Sequence, residues 1–355
     1  MRKKQFFGFI GGLFFSLFLF NLEAQTLEEA ETFAEQGLFV EANSIYEHLI
    51  EKSPNNIAVR DSWSKVLLKM YDYDRVIELL STIKGKKKDA SLALLAEAYY
   101  HSYRFPEAIQ TINLMGGKKK IISEEMKLLN SMAQRASKML EYSEWIEVID
   151  SVQIDLSHLE NFPQGHLSKE WGTFLKNREI ISKAPAYHPV YQTSLGHERF
   201  FSMQGEQGDM ELFYTRKVGA KWTETLPLNS LNTSFEEIYP ILRQDGITLI
   251  FSRKGPDGIG GYDLYLTRKN IDTNEFLSPT LLGMPFNSPF NDYFLIYDDL
   301  YKIGVLASDR YCPEGKVHIY TFRLSEQSTK ITTNDLDSKR PLAAWYPWRT
   351  TINRE

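Results

Sequence analysis

A four-fold spacing pattern in the first half of the chain constrains the fold more than any other feature. A small residue is followed nine positions later by an aromatic residue and three positions after that by a packing residue. The four copies, at similar intervals along the chain, are Ala30/Phe39/Ala42, Ser64/Tyr73/Val76, Ala96/Phe105/Ala108 and Ala133/Tyr142/Trp145. Apolar residues between them recur every three or four positions, which indicates amphipathic helices. The pattern predicts an array of helical hairpins that bury their apolar faces against each other.

The second half of the chain carries a different repeat. Beyond residue 187, short alternating runs rich in Tyr, Phe, Ile and Thr are bounded by Gly, Pro, Asn and Asp, which predicts strands and turns. Three copies each contain a strand ending in a small residue, a polar loop and a second strand with an aromatic residue. Their spacing of roughly 50 residues suits four-stranded propeller blades. The paired small and aromatic residues are Ser202 and Phe213, Ser252 and Tyr265, and Ser308 and Tyr320.

The two repeats predict a multidomain α-then-β chain, with an all-α superhelix followed by an all-β, propeller-like repeat domain. Three clear blades are fewer than a closed propeller usually has, so this domain is incomplete unless flanking segments add strands. The predicted boundaries are a leader at 1–24, the helical repeat domain at 25–152, a junction at 153–187, the blades at 188–325 and a tail at 326–355 that can close the propeller.

The N-terminus has the composition of a secretory signal peptide. Arg2, Lys3 and Lys4 precede an apolar run at 6–20, and the small residue Ala24 stands at the expected cleavage point. The run is shorter than the roughly 20 residues that span a bilayer as a helix, which favours cleavage over the alternative, retention as an anchor. The sequence therefore predicts export to the periplasm, with outer-membrane association through a partner as a further alternative.

Charge and cysteine content exclude several classes of site. The net charge of -5 carries no bias towards polyanions, so nucleic acid is not a predicted partner. Cys312 is the only cysteine, which excludes an intrachain disulfide and a C-x-x-C site. It also lies far from the leader, so the chain is not predicted to be a lipoprotein.

A glycine-rich run, SRKGPDGIGGYDLYLT at 252–267, is either a phosphate-binding loop or a turn between strands. A phosphate loop needs Gly-Lys-Ser/Thr and a following helix, whereas YDLYLT continues as a strand. The run is therefore predicted to join two strands of one blade. A calcium site at Asp257 and Asp263 is disfavoured because the spacing fits no known calcium loop. No cofactor and no metal are predicted.

The first helical copy, AEQGLFVEANSIYEHLIEKSPNN, resembles the tetratricopeptide repeat (TPR), with Gly37, Phe39, Ala42, Tyr46 and Pro54 in that family's positions. The resemblance covers residues 26–152, with the fourth copy divergent or capping. It implies a superhelix whose concave face, lined by first helices, holds a peptide or a partner protein; a solvated face is the alternative. The groove positions that it implies are Asp61, Lys65, Leu68 and Lys69 in the second copy and Glu97, Tyr100 and His101 in the third.

Two lysine runs are separated by the same interval as the second and third repeat copies, so they lie at equivalent turns between repeats. They are predicted to form one basic edge. A solvated turn is one interpretation, and an acidic partner or an anionic lipid head group is the functional alternative. The runs are Lys86-Lys87-Lys88 and Lys118-Lys119-Lys120.

The middle strand copy resembles PD40 repeats, the WD40-like beta-propeller modules related to TolB, and this resemblance covers residues 188–325. Its residues are Pro240, Asp245-Gly246, Phe251-Ser252, Gly260-Gly261-Tyr262-Asp263, Tyr265, Asn287-Ser288-Pro289 and Asn291-Asp292. With the helical repeats, the chain resembles envelope proteins of Gram-negative bacteria that often carry an OmpA-like domain. Some of those proteins are peripheral components of type IX secretion and gliding machinery. No OmpA-like domain is recognised before Glu355, so peptidoglycan anchoring is not predicted.

The tail PLAAWYPWRTTINRE contains Trp345, Tyr346 and Trp348 close together. Packing that closes the last blade is the preferred interpretation of these aromatic residues. An exposed aromatic docking patch is the alternative, because such residues dominate interface hot spots.

Catalysis is not predicted, because the chain has no G-x-S-x-G, no H-E-x-x-H and no paired Cys/His motif, and its seven His residues are scattered. The resemblances imply a non-catalytic periplasmic or outer-membrane-associated adaptor that binds envelope proteins or peptides. A glycan or peptidoglycan-fragment binding protein is the alternative, with Tyr and Trp as stacking platforms. A propeller hydrolase or lyase is a second alternative, because fold alone does not exclude catalysis.

Overall fold

The computed structural model describes residues 26–83, 85, 87–116, 122–162, 164–165, 167–175, 189–324, 329–330 and 335–345. A helical region is followed by a β-rich region of several antiparallel sheets, and no described sheet closes into a barrel. The chain divides into two compact units. The helical unit comprises the described residues up to Ser102 and those from Gln110 to Ile122. The sheet unit comprises Tyr103–Ile109 and the described residues from Ser123 onward.

The described chain begins with a run of short helices. Three of the first five begin with a side-chain cap: Thr26 accepts from the Glu29 amide, Asn56 from Ala58 and Val59, and Asp72 from Arg75. Each of the first four packs on the next, and α3 also packs on α1 and α5. The helices are α1 (Leu27–Glu35), α2 (Phe39–Lys52), α3 (Ile57–Lys69), α4 (Tyr73–Ser81), α5 (Asp89–His101) and α6 (Phe105–Asn113).

The repeat positions read from the sequence are the close-packing positions of these helices. Ala30, Ser64 and Ala96 are each 0% exposed, as small residues at tight helix crossings should be. A left-handed residue stands two positions before the aromatic residue in each of the first three copies, with φ of +75° at Gly37, +60° at Tyr71 and +58° at Tyr103. The first two turns contain equivalent hydrogen bonds of the kind found in a Schellman cap. The Leu38 amide donates to the Phe33 carbonyl and the Asp72 amide to the Leu67 carbonyl, both at 2.9 Å.

The fourth copy, predicted to be divergent or capping, does not form a helical hairpin. Helix α7 (Glu124–Glu141) is followed by a short strand, β1 (Glu144–Trp145), instead of a second helix. The two bulky residues of this copy are largely exposed, Tyr142 by 70% and Trp145 by 46%. The reason is that positions 146, 148, 149, 152 and 154 are all Ile or Val, which favour a strand over a helix.

Three larger sheets make up most of the sheet unit. The first contains β3 (Thr173–Leu175), β4 (Val190–Gln192), β5 (Glu198–Gln204), β6 (Met210–Val218) and β7 (Lys221–Trp222), and β8 (Leu226–Pro227) also pairs with β6. The second, in the order β12-β11-β10-β9, contains β9 (Glu236–Leu242), β10 (Thr248–Lys254), β11 (Tyr262–Arg268) and β12 (Thr280–Leu281). The third, in the order β13-β14-β15-β2, contains β13 (Asp292–Asp298), β14 (Ile303–Ser308), β15 (Lys316–Arg323) and β2 (Val148–Asp155).

The smaller elements complete this unit. A 3-10 helix spans Leu156–Asn161, β16 (Thr329–Lys330) pairs with β1, and the last described helix is α8 (Leu336–Ala344). Strand β2 starts within the range predicted for the helical repeats and ends in the predicted junction.

The third sheet joins the beginning of the sheet unit to its end. Strand β2 pairs with β15 in antiparallel register, with Val152 opposite Ile319 and Ile154 opposite Val317. The two strands are therefore neighbours in the sheet although the first two sheets lie between them in the sequence. Lys316 Nζ lies 2.6 Å from Asp155 Oδ1 at one end of this pairing.

One apolar core is shared by all three larger sheets. It includes Phe200 and Leu212 from the first sheet, Phe251 from the second, and Phe294 and Ile319 from the third, all buried. Because each sheet contributes one face to this core, none of the three can bury its apolar side chains without the others.

A repeated six-residue segment precedes or enters strands β9 and β13. The copies are NTSFEE at 232–237 and NSPFND at 287–292. Asn232 pairs with the backbone of Leu212, with Oδ1 accepting from the amide at 2.8 Å and Nδ2 donating to the carbonyl at 3.1 Å. Asn287 makes the same two bonds to Leu264, at 2.7 and 3.0 Å.

The same segment also fixes its own turn. The amide and hydroxyl groups of Thr233 donate to Glu237, and those of Ser288 donate to Asp292. Each segment thus uses an amide side chain to cap an edge of the preceding sheet and a carboxylate to hold the turn into the next.

Candidate functional site

A cleft of about 500 Å³ lies in the helical unit, between the first helices of the first two repeat copies. Helix α1 and helix α3 form its two walls, and α2 contributes to its floor. The residues that line it are Glu31, Ala34, Glu35, Phe39, Tyr46, Ser62, Lys65, Val66 and Lys69.

The two walls of the cleft carry opposite charges. Glu31 and Glu35 stand four residues apart on α1, and Lys65 and Lys69 stand four residues apart on α3. Residues at this spacing lie on one face of a helix, so each pair points in one direction. All four side chains are exposed.

The floor of the cleft is apolar and well packed. Tyr46 is 1% exposed, Val66 is buried, and Phe39 is half-buried. Burial raises the pKa of the Tyr46 hydroxyl to about 12, and the nearby charge of Glu31 acts in the same direction. The phenol therefore stays neutral in the physiological range.

One hydrogen bond ties the two walls together. Ser62 Oγ on α3 donates to Glu31 Oε1 on α1 at 2.8 Å. This contact orients the Glu31 carboxylate but leaves its charge uncompensated. Within the described ranges, no ion pair forms with Glu31, Glu35, Lys65 or Lys69. The four charges are thus available to a ligand.

Of the groove positions predicted in the second copy, Lys65 and Lys69 line the cleft. Asp61 lies further back, where it accepts a bond of 3.0 Å from Ser91 Oγ, and Leu68 is half-buried outside the lining. The opposite wall was missed by the sequence interpretation. Its signal is the repeat itself, since Glu31 and Glu35 precede Lys65 and Lys69 by the same interval that separates the first two repeat copies.

The groove positions predicted in the third copy do not line this cleft. Tyr100 is buried, and His101 stacks on Tyr73 with ring centroids 5.4 Å apart. His101 Nδ1 lies 3.0 Å from the Glu97 carbonyl, and burial lowers the pKa of the imidazole to about 4. His101 is therefore a neutral packing residue at physiological pH.

The predicted basic edge falls mostly outside the described residues. Lys86, Lys118, Lys119 and Lys120 lie outside them, whereas Lys88 is exposed just before α5. Lys87 donates to the Ile83 carbonyl at 3.3 Å. The basic edge stays a prediction.

The glycine-rich run joins β10 to β11, as predicted. Asp263 Oδ2 accepts from the amides of Ile259 and Gly260, both at 2.9 Å. From α7, Arg135 donates to the carbonyls of Pro256 and Gly258. Two amides of the loop are thus bonded to the Asp263 carboxyl group and not free to face a phosphate, and the loop acts as a turn between strands.

The aromatic tail has one described member. Trp345 is 6% exposed and packs in a second core of the sheet unit, against Phe286, Tyr320 and Phe322. This location agrees with the packing interpretation of Trp345. Tyr346 and Trp348 lie outside the described residues.

A second cleft, of about 420 Å³, lies in the sheet unit. Three of its polar residues bond within the fold: Ser168 donates to Asp298, Gln192 Oε1 accepts from Arg199 Nε, and Thr193 Oγ1 accepts from the Glu198 amide. The lining comprises Gln164, Leu167, Ser168, Lys169, Trp171, Gly172, Thr173, Gln192, Thr193 and Ser194.

Metal ligands and membrane spans are both missing from the part of the chain that the structure describes. Across these ranges, no three His, Cys, Asp or Glu side chains are grouped as metal ligands. No helix among the described residues has both the length and the apolar character needed to cross a bilayer. Comparison with known proteins is equally negative, since no family model, no curated protein and no solved structure matches the chain.

Proposed function

We propose that this chain is a non-catalytic adaptor that binds a segment of a partner protein in the cleft between α1 and α3. The observation that carries the proposal is a cleft in which four exposed charges surround an apolar floor, with no ion pairs to satisfy those charges within the described chain. A surface that only contacts water has no need of an apolar floor between two charged walls.

The arrangement of helices supports the proposal. Helices α1, α3 and α5 are the first helices of successive copies, and α3 packs between the other two. The resemblance to tetratricopeptide repeats implies that ligands bind on the face lined by these helices, and the cleft opens between two of them.

We further propose that the sheet unit is a small propeller-like array of three blades. Support comes from the shared core, from the repeated Asn-Ser/Thr segment before β9 and β13, and from the β2–β15 pairing. In this proposal, β2 supplies the outer strand of the last blade, and the array acts as a scaffold with a second binding surface.

The proposed location is the periplasm, at the outer membrane through a bound partner. The basic start and apolar run at residues 1–24 support export. The resemblance to envelope proteins of type IX secretion and gliding machinery supports a role in envelope assembly or secretion.

Affinity capture from a cross-linked native envelope tests the adaptor role. The wild-type chain is compared with Lys65→Ala/Lys69→Ala and with a matched control, Lys217→Ala/Lys221→Ala, which removes two exposed lysines from the sheet unit. We expect the same defined envelope proteins to be enriched with the wild type and the control and lost with the cleft variant. Capture of no specific protein by the wild type would reject the adaptor and favour glycan or hydrolase screens.

The glycan alternative has one observation in its favour, the second cleft, whose lining is rich in amide and hydroxyl groups. Titration calorimetry with peptidoglycan fragments tests it, with Ser194→Ala, at an exposed hydroxyl of the lining, as the cleft variant. Heat of binding that is present in the wild type and lost in this variant would support a glycan site.

A further inference from the structure

We infer that the cleft between α1 and α3 selects an extended segment in which acidic and basic residues alternate. This inference rests on the proposed function, because it names the chemistry of the segment that the adaptor binds. The acidic residues would face Lys65 and Lys69, and the basic residues would face Glu31 and Glu35.

The two walls of the cleft differ in the sign of their charge. Position 31 is equivalent to position 65 in the repeat, and position 35 to position 69, because each pair has the same separation as Ala30 and Ser64. Equivalent positions on neighbouring first helices therefore carry opposite charges. A ligand of one sign would be attracted by one wall and repelled by the other, so only a ligand with both signs complements the cleft.

The charges along each wall have a spacing that matches an extended chain. Residues four apart on an α-helix are separated by about 6 Å along the axis, at 1.5 Å per residue. Alternate residues of an extended chain are separated by about 6.6 Å and point to the same side. Two acidic residues at positions i and i+2 of an extended ligand thus match Lys65 and Lys69, and the basic residues at i+1 and i+3 match Glu31 and Glu35.

Two residues of the cleft would fix the orientation of a bound segment. The Ser62 hydroxyl fixes the Glu31 carboxylate, and Tyr46 closes the floor as a neutral, buried ring. An extended backbone lying on this floor directs its side chains alternately to left and right. The ligand sequence is therefore selected by its pattern of charge and not by its total charge.

Fluorescence anisotropy with two labelled peptides tests this inference on the purified full chain. One peptide has the core Glu-Lys-Glu-Lys, and the other has the core Glu-Glu-Lys-Lys, with identical Gly and Ser flanks. The two have the same composition and net charge and differ only in the order of their charges. We expect the alternating peptide to bind about tenfold more tightly at low salt, because four weak ion pairs act together.

Wall variants provide the matched controls. Lys65→Glu/Lys69→Glu makes both walls acidic and should lower the affinity for the alternating peptide about tenfold or more, by like-charge repulsion. Adding Glu31→Lys and Glu35→Lys to that variant exchanges the two walls. This exchange should restore most of the binding, because after a shift of one residue three of the four peptide charges again face wall charges of opposite sign. Circular dichroism and thermal melting confirm that all the variants are folded.

Equal binding of the two peptides would overturn the inference, as would failure of the alternating peptide to bind at millimolar concentration. A quadruple variant that is folded but not restored would also overturn it. The outcome is separable from the adaptor proposal: envelope proteins captured through Lys65 and Lys69, together with equal binding of the two peptides, would leave the adaptor standing and remove only the charge pattern.

Discussion

Arg310 is the most demanding single residue in the sheet unit, because its guanidinium is fully buried. Every nitrogen has a partner: Nε bonds to Ser308 Oγ at 2.9 Å, Nη1 to the Pro285 carbonyl at 3.0 Å, and Nη2 to the Phe286 carbonyl and to Asp292 Oδ1. Burial alone would lower the pKa of Arg310, but the charge of Asp292 holds it above its usual value. The cation thus organises the turn before β13 and the end of β14 around one ion pair.

Replacement of Arg310 by Leu should lower the free energy of unfolding by about 3–5 kcal/mol, because Asp292 is left buried and uncompensated. Urea unfolding followed by circular dichroism measures this loss. The control is Arg323→Leu, whose partner Glu147 lies at the surface, and little change is expected there. Equal losses of unfolding free energy in the two variants would contradict the prediction that Asp292 needs a cationic partner.

The carboxyl of Asp263 gives the sheet unit a predicted pH dependence. Burial raises the pKa of Asp263 to about 8; the amide of Gly260 opposes the shift, and the charge of Asp292 adds to it. An unfolded Asp titrates near 4, so between pH 4 and pH 8 the folded chain binds a proton that the unfolded chain releases. The stability from this group is therefore present below pH 4 and lost as the pH rises towards 8.

Substitution of Asp263 by Asn mimics the protonated acid and should remove this dependence. The free energy of unfolding of the wild type should fall relative to the variant between pH 5 and pH 8, by at most about 1.4 kcal/mol per pH unit. Urea unfolding at both pH values measures the difference. Asp257→Asn, at a half-exposed carboxylate, is the control. Parallel pH profiles for wild type and Asp263→Asn would contradict the prediction.

At the scale of elements, the two Asn-Ser/Thr segments offer a matched pair of sites. Both Asn287 and Asn232 bond the backbone of a preceding sheet, but Asn287 is fully buried and Asn232 only partly. Asn287→Ala should cost about 1–3 kcal/mol, because the Leu264 amide and carbonyl lose their partners away from water. Asn232→Ala should cost less, since water can reach Leu212. Equal costs measured by urea unfolding would contradict this ranking.

The helical elements could be predicted to the extent that local packing defines them. Only a small side chain fits where these helices cross, at Ala30, Ser64 and Ala96. The spacing of these residues therefore predicted the helices. The fourth copy shares the spacing but not the hairpin, because β1 pairs with β16 and β2 pairs with β15. Such long-range pairing leaves no local signal.

Only one of the two walls of the cleft was predicted from the sequence. Lys65 and Lys69 followed from the resemblance to a known repeat, whereas Tyr100 followed from the same resemblance but is buried. The opposite wall, Glu31 and Glu35, was equally readable by applying the repeat interval in the other direction. A repeat places a residue on a face of the array, but burial of each side chain depends on its neighbours.

At the scale of the whole molecule, we expect the β2–β15 pairing to determine whether the sheet unit unfolds in one step. The Leu156 amide bonds to the Gly315 carbonyl at 2.8 Å, which fixes the pattern of this antiparallel ladder. Alternate residues of β2, including Val152 and Ile154, then direct their amides to β15, while Gln153 directs its amide to the outer edge. The amides on one side of β2 therefore hold it to β15, and the amides on the other side form no bond of this ladder.

Proline substitution distinguishes these two sides. Val152→Pro removes a ladder bond opposite Ile319 and should cost about 3 kcal/mol or more, whereas Gln153→Pro loses only an outward amide and should cost clearly less. Urea unfolding gives both values, and limited proteolysis should show early cleavage of Val152→Pro between residues 141 and 156. Equal losses of unfolding free energy in the two variants would show that the hydrogen bonds between β2 and β15 do not hold the sheet unit together. If only Val152→Pro unfolds in two steps, this strand couples the beginning and end of the sheet unit, because all three sheets share one core and opening the third exposes the other two.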